Sequence, residues 1–181
     1  MPQLACKSEY SRRSFLKLSA VSAATLSVLS LSAGLTGCSR EPASSGFLVL
    51  RNDDLVCLAA LLPAFYAGAI DPEQLQRSLP SALRAIDHNL ASLSPAMRKM
   101  TLQLFDTLNN PLTRGSLTGI WGAWPQASTA AIEHFLSRWQ NSRFDLLKMG
   151  HNALLQLAML AHYGQSSAWQ HCGYPGPAQL H

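Results

Sequence analysis

Cys38 carries the most specific chemistry in this chain. It closes the run Leu35-Thr36-Gly37-Cys38, directly after Leu18 to Leu35, a stretch without a charged residue. Thr36 and Gly37 are small enough for the groove of a processing peptidase. A cysteine so placed reads as a lipobox: its thiol is the nucleophile that becomes a thioether to a diacylglyceryl group, and cleavage before Cys38 makes it the new N-terminus. Each buried methylene of an acyl chain contributes about 0.8 kcal/mol, so two or three chains anchor a protein durably. Ser39 follows, and a residue other than Asp there favours sorting to the outer membrane over the inner.

The remaining reactive side chains promise less. Cys57 and Cys172 are too far apart in sequence for a CxxC motif, so redox and zinc-finger chemistry do not follow. In an oxidising compartment they can bridge; otherwise they stand as buried free thiols. His151 and His162 are eleven residues apart, about 16 Å along a helix, too far to share an ion. His134 falls on another helix, and His171-Cys172 has no partner at ligand spacing. The chain has no CxxCH, GxGxxG, GxxxxGK or GxSxG pattern. No catalytic, metal or cofactor residue is therefore expected in this chain.

Upstream of the lipobox stands Ser11-Arg12-Arg13-Ser14-Phe15-Leu16-Lys17, two adjacent arginines followed by Phe-Leu-Lys. The apolar stretch after it is shorter than the ~20 residues that span a bilayer. It is also diluted by Ser19, Ser22, Thr25, Ser27, Ser30 and Ser32. A charged start, an adjacent arginine pair and modest hydrophobicity are the layout of a twin-arginine export signal. Residues 1–37 are thus expected to be a cleaved leader recognised by the twin-arginine translocase, delivering the protein to the periplasm as a membrane-anchored lipoprotein.

Of the 14 Lys and Arg, Lys7, Arg12, Arg13 and Lys17 lie in that leader; of the 10 Asp and Glu, only Glu9 does. What remains is nearly neutral, 10 cations against 9 anions. The basicity of the whole chain belongs mainly to the leader and does not argue for nucleic acid.

The elements behind Cys38 read as all-α. Residues 38–46, with Pro42, Ser44, Ser45 and Gly46, are expected to be a flexible tether, and residues 47–181 one helical domain. Asn52 or Asp53 is placed to cap a helix through Leu55, Leu58, Leu61 and Leu62, with Pro63 ending it. Asp71-Pro72-Glu73 starts a second that kinks at Pro80 and runs to about Leu93. Ser94-Pro95 starts a third, with Met97, Thr101, Leu104, Phe105 and Leu108 on one face, and Asn109-Asn110-Pro111 stops it. Leu112 to Ala127, rich in glycine, reads as a loop. Ser128 or Thr129 caps a helix through Ile132, Phe135, Leu136 and Trp139. The last runs from about Phe144 to Tyr163, its broad apolar stripe comprising Leu147, Leu154, Leu155, Ala158 and Leu160, and the tail from Gly164 shows no helical pattern.

Aromatic residues in loops are frequent contact residues. Trp121 and Trp124 fall in the expected loop, and Trp169, Tyr174 and Pro175 in the tail. Arg114 is the one formal charge across Leu112–Pro125 and Trp169–Pro177. Charge depletion with aromatic enrichment marks interface cores, so these five residues are the expected partner interface.

Several segments resemble a known family. Asn110-Pro111-Leu112-Thr113-Arg114-Gly115, then Leu117-Thr118-Gly119, Phe135-Leu136-Ser137-Arg138-Trp139-Gln140-Asn141-Ser142, Ser167-Ala168-Trp169 and Gly173-Tyr174-Pro175-Gly176-Pro177 resemble the small subunit of membrane-associated GMC-type flavoprotein dehydrogenases. Gluconate 2-dehydrogenase subunit 3 and the sorbitol dehydrogenase small subunit are the named relatives. The resemblance implies a non-catalytic subunit whose leader carries a folded, FAD-loaded large subunit across the membrane, with a cytochrome c subunit as a further partner. A lipobox is no general feature of that family; here it implies that the complex is also tethered. A free-standing envelope lipoprotein that binds a ligand or a protein is the alternative, and an enzyme in its own right a third.

Overall fold

The computed structural model of the chain describes residues 41–169, Gly173 and Pro175; all regular structure among them is helical. The helices are α1 (Asn52–Phe65), α2 (Pro72–Ser92), α3 (Pro95–Asn109), α4 (Pro111–Thr118), α5 (Thr129–Gln140), α6 (Asp145–Tyr163) and the short α7 (Ser166–Trp169), with a 3-10 turn at Trp124–Gln126. Among the described residues no helix is long and apolar enough to cross a membrane.

α1 is the central helix. It touches α2, α3, the 3-10 turn, α5 and α6, while the most extensive pairing is α2 on α6. Its inner positions Asp54, Cys57, Leu58, Leu61 and Leu62 follow the three-and-four spacing of a buried helical face. α5 buries Ile132, Phe135, Leu136 and Trp139, the face its sequence periodicity marks. α2 contributes Leu75, Ala82, Ile86 and Leu90 to the same core.

Several boundaries differ from the sequence reading, each for a physical reason. The N-cap of α1 is Arg51 rather than Asn52 or Asp53, because the Asp54 carboxylate reaches back to the Arg51 N–H at 3.1 Å. Pro63 does not end α1, which runs on to Phe65. A proline inside a helix costs roughly 3 kcal/mol. The next turn offsets that cost: Tyr66 is buried, its hydroxyl donates to the Ala158 carbonyl at 2.7 Å, and its ring meets His162. α2, by contrast, runs through Pro80 to Ser92 with Leu93 as its C-cap, as expected. On α3 the buried face is Leu102, Phe105 and Leu108; Met97 points to solvent. On α6, Leu160 is exposed and the core face is Gly150, His151, Leu154, Leu157, Ala158 and Ala161.

The start of the domain is ordered further back than expected. Ser44 and Gly46, placed in a flexible tether by composition, form a turn: the Ser44 N–H donates to the Leu50 carbonyl and the Phe47 N–H to that of Ser44, with Gly46 at φ +80°. Leu48, Val49 and Leu50 then donate three successive backbone N–H groups to the buried Asp87 carboxylate, at 2.6, 2.9 and 2.9 Å. One side chain of α2 thereby fixes the segment entering α1.

Candidate interface

The stretch Leu112–Ala127 is not a loop. Asn110 accepts from the Leu112 and Thr113 N–H groups and Pro111 occupies the first helical position, so α4 starts at once. Gly119 ends it in the left-handed conformation, φ +80°. Thr118 ties the exit: its hydroxyl donates to the Arg114 carbonyl and accepts from the Ile120 N–H. Ile120 is thereby buried and the chain turns back over its own helix.

Trp121 emerges there, 68 % exposed. Its six-membered ring sits on Gly115: a Cβ at that glycine would fall 2.3 Å from the ring. Trp121 is thus an outward-facing aromatic seated on a helix backbone, a contact that only glycine permits. Leu112, on the same side of α4 three residues before Gly115, is also exposed.

Trp124 was expected beside it in the interface, and the structure places it in the core, 3 % exposed. The 3-10 turn closed by Gln126 N–H to the Ala123 carbonyl and Ala127 N–H to that of Trp124 swings the ring inward. Its indole N–H donates to the Leu108 carbonyl at 3.2 Å, its ring tilts against Phe135, and the Arg114 guanidinium stands 5.8 Å from its centroid. Arg114, the single formal charge of this region, is itself buried, with Nε on the Ile120 carbonyl.

The tail residues divide. Trp169 is half-buried at the end of α7 and donates its indole N–H to the Tyr163 carbonyl at 2.7 Å. Pro175 is exposed. Tyr174 and Cys172 lie outside the described residues, as do the leader positions Ser11 to Lys17 and Leu35 to Cys38.

Cys57 is a buried free thiol, and burial pushes its pKa far up, with the Asp54 charge adding to the effect. His151 is buried in the core near Phe65. Among the described residues no three His, Cys, Asp or Glu side chains are grouped to hold a metal ion.

Sequence reasoning missed one polar cluster. Asp54, fully buried, accepts from Arg51 Nε at 2.8 Å, Arg51 Nη2 at 2.9 Å and Asn109 Nδ2 at 2.8 Å, while Arg51 Nη1 also reaches Asp106. The Asp54 carboxylate holds the Arg51 guanidinium well above its ordinary pKa. This knot ties α1 to the end of α3. The signal available was Arg-Asn-Asp-Asp at a helix start, which reads equally well as solvated capping.

A groove of about 420 Å³ opens between α1, α2 and the 3-10 turn, lined by Val56, Ala60, Pro63, Leu79, Trp124 and Ile132 among others. No protein-family model, curated protein or solved structure matches this chain.

Proposed function

We propose that this chain is the non-catalytic small subunit that escorts a FAD-containing GMC-type dehydrogenase through the twin-arginine pathway and tethers it to a membrane, the outer one in preference. The observation that carries the reading is a pairing in the sequence. Ser11 to Lys17 with the lipobox Leu35 to Cys38 supply export and anchoring, on a chain without a nucleotide-binding fingerprint. A flavoprotein loaded with FAD in the cytoplasm must cross folded, and a partner bearing the signal can take it. The seated, exposed Trp121, together with the exposed Leu112, supports a docking surface of the kind such an escort needs.

The test is co-expression with a GMC-type flavoprotein that lacks its own signal. A yellow, FAD-containing large chain is expected to co-purify. Replacing Arg12 and Arg13 by Lys is expected to strand both chains in the cytoplasm; a partner that still reaches the periplasm rejects the escort role. Cys38→Ala is expected to leave an unlipidated precursor, and acylated mature protein from that variant rejects the anchor.

A second reading, a free-standing envelope lipoprotein, is favoured by the groove along Val56, Pro63 and Leu79, whose volume falls in the range of small-molecule sites. Under that reading the chain purifies alone with an apolar ligand in the groove, and Ala60→Trp abolishes ligand retention.

A further inference from the structure

Arg114 is a buried arginine without a carboxylate. It is 8 % exposed. Among the described residues the ion pairs are those of Arg51 with Asp54 and with Asp106, and Asn109 takes a further place on Asp54. Arg114 makes one hydrogen bond, from Nε to the Ile120 carbonyl, and its guanidinium carbon stands over the Trp124 ring. A guanidinium has five N–H groups, so both Nη groups are left unused. Among the described residues the only fully enclosed side-chain polar atom without a partner is Asn109 Oδ1. The Nη groups of Arg114 therefore open to the surface, through the small fraction of the residue that solvent reaches.

Buried charges are paired, because burial removes the water that would solvate them. What the fold supplies to Arg114 is partial. The C-terminal end of α4 carries roughly half a negative charge. Arg138 draws on the same end, through Nη2 on the Leu117 carbonyl, and among the described residues it has no carboxylate partner either. Two guanidinium charges against that half leave the exit of α4 positive. The same exit carries Trp121. Arg114 holds the carbonyl of Ile120, the residue before Trp121, and the Trp121 ring lies on Gly115, the residue after Arg114.

We infer that Arg114 is a binding site for a carboxylate, carried by an acidic side chain of a protein that docks on Trp121. The enclosed charge is single, so one negative charge neutralises it, and the two oxygens of a planar carboxylate match a guanidinium edge. A phosphate would bring up to about two charges. A protein is the source because neither the groove nor the small cavity beside Tyr66 and His162 includes Arg114. A free carboxylate would be held by one edge alone, whereas a docked chain is also held by Trp121. Trp and Arg are enriched among the residues that carry most of the binding energy of interfaces. The inference rests on Trp121 as a docking surface and not on the partner being a flavoprotein.

The test uses the full-length chain in mild detergent and follows the Arg114 Nε–H signal by NMR. Propionate is expected to shift it saturably, with a dissociation constant on the order of millimolar, and its neutral isostere propionamide to leave it in place. A blocked Leu-Glu-Phe peptide sets the acid between apolar side chains. It is expected to bind about tenfold tighter than propionate, and to lose that gain in Trp121→Ala and when its Glu is replaced by Gln. Arg114→Lys keeps the charge without the fork and is expected to weaken both ligands about tenfold. Should that variant fail to fold, propionate against propionamide on the parent chain decides. A signal that responds alike to those two overturns the site. Inorganic phosphate binding as tightly as propionate overturns the carboxylate. A peptide no tighter than propionate overturns the protein source in favour of a free carboxylate. A flavoprotein that fails to co-purify while the peptide binds defeats the escort reading and supports this one.

Discussion

The six-membered ring of Trp121 occupies the place where a Cβ of Gly115 would stand. An exposed tryptophan is therefore held by the absence of a side chain six positions earlier. Gly115→Ala is expected to dislodge the ring while α4 persists. Overpacking costs about 1–3 kcal/mol, and removing a helical glycine recovers up to about 1 kcal/mol. The subunit should remain folded by circular dichroism, with altered tryptophan emission and partner capture reduced as strongly as in Trp121→Ala. Unchanged capture by a folded Gly115→Ala subunit rejects Trp121 as a docking anchor.

Trp121 and Trp124, three residues apart, should behave oppositely. Trp124→Ala removes a buried ring, its bond to Leu108 and the contact with Arg114, and is expected to cost about 3–5 kcal/mol in denaturant unfolding. Trp121→Ala is expected to stay within about 0.5 kcal/mol of the parent, as surface substitutions do. Equal losses would mean that the Trp124 ring is not in the core.

Asp54 and Asp106 offer a second contrast, because both pair with Arg51 but only Asp54 is buried. Asp54→Ala strips partners from the guanidinium and from Asn109, and is expected to cost about 3–5 kcal/mol. Asp106 is half-exposed, so its replacement should cost at most about 1 kcal/mol. Chemical denaturation of the two variants side by side decides it.

Burial pushes the Tyr66 phenol from its ordinary 10 up to about 12. The folded state thus holds the proton more tightly than the unfolded chain. The stability tied to this group is whole below pH 10 and is lost as pH rises from about 10 through about 12. Tyr66→Phe should start less stable, lacking the bond to Ala158, but lose less stability over that window. Melting curves of both proteins across it test the sign: a parallel decline refutes the assignment.

The starts of α3 and α5 were legible because their signals are local. Ser94-Pro95 and Ser128 cap where their side chains can reach the next free N–H, and Met97 and Ala131 supply it. The inward face of α5 was legible because polar residues interrupt it regularly. Where the outcome depends on distant atoms, local signals fail. Pro63 is overridden by Tyr66 reaching Ala158, 92 positions on. Leu160 and Leu154 are alike in sequence, and the placement of α1, α2 and α5 around α6 decides which of them is core. Trp121 and Trp124 share one glycine-rich stretch; the turn at Ala123–Gln126 separates their fates, and its geometry is not written in residue type. Asp54 and Asp87 read as ordinary solvated acids, since the N–H groups that bury them come from outside the helical pattern.

Asp87 also defines where a pulling force would enter the domain. Tension on the chain before residue 44 meets the Ser44 bonds to Leu50 and Asn52 and then the bonds of Leu48, Val49 and Leu50 to one carboxylate. Through Asp87 the load passes into α2 and, through its long contact, into α6. A protein held from its N-terminal side would be gripped by a built-in cleat on the longest helix of the domain, ahead of its own first helix.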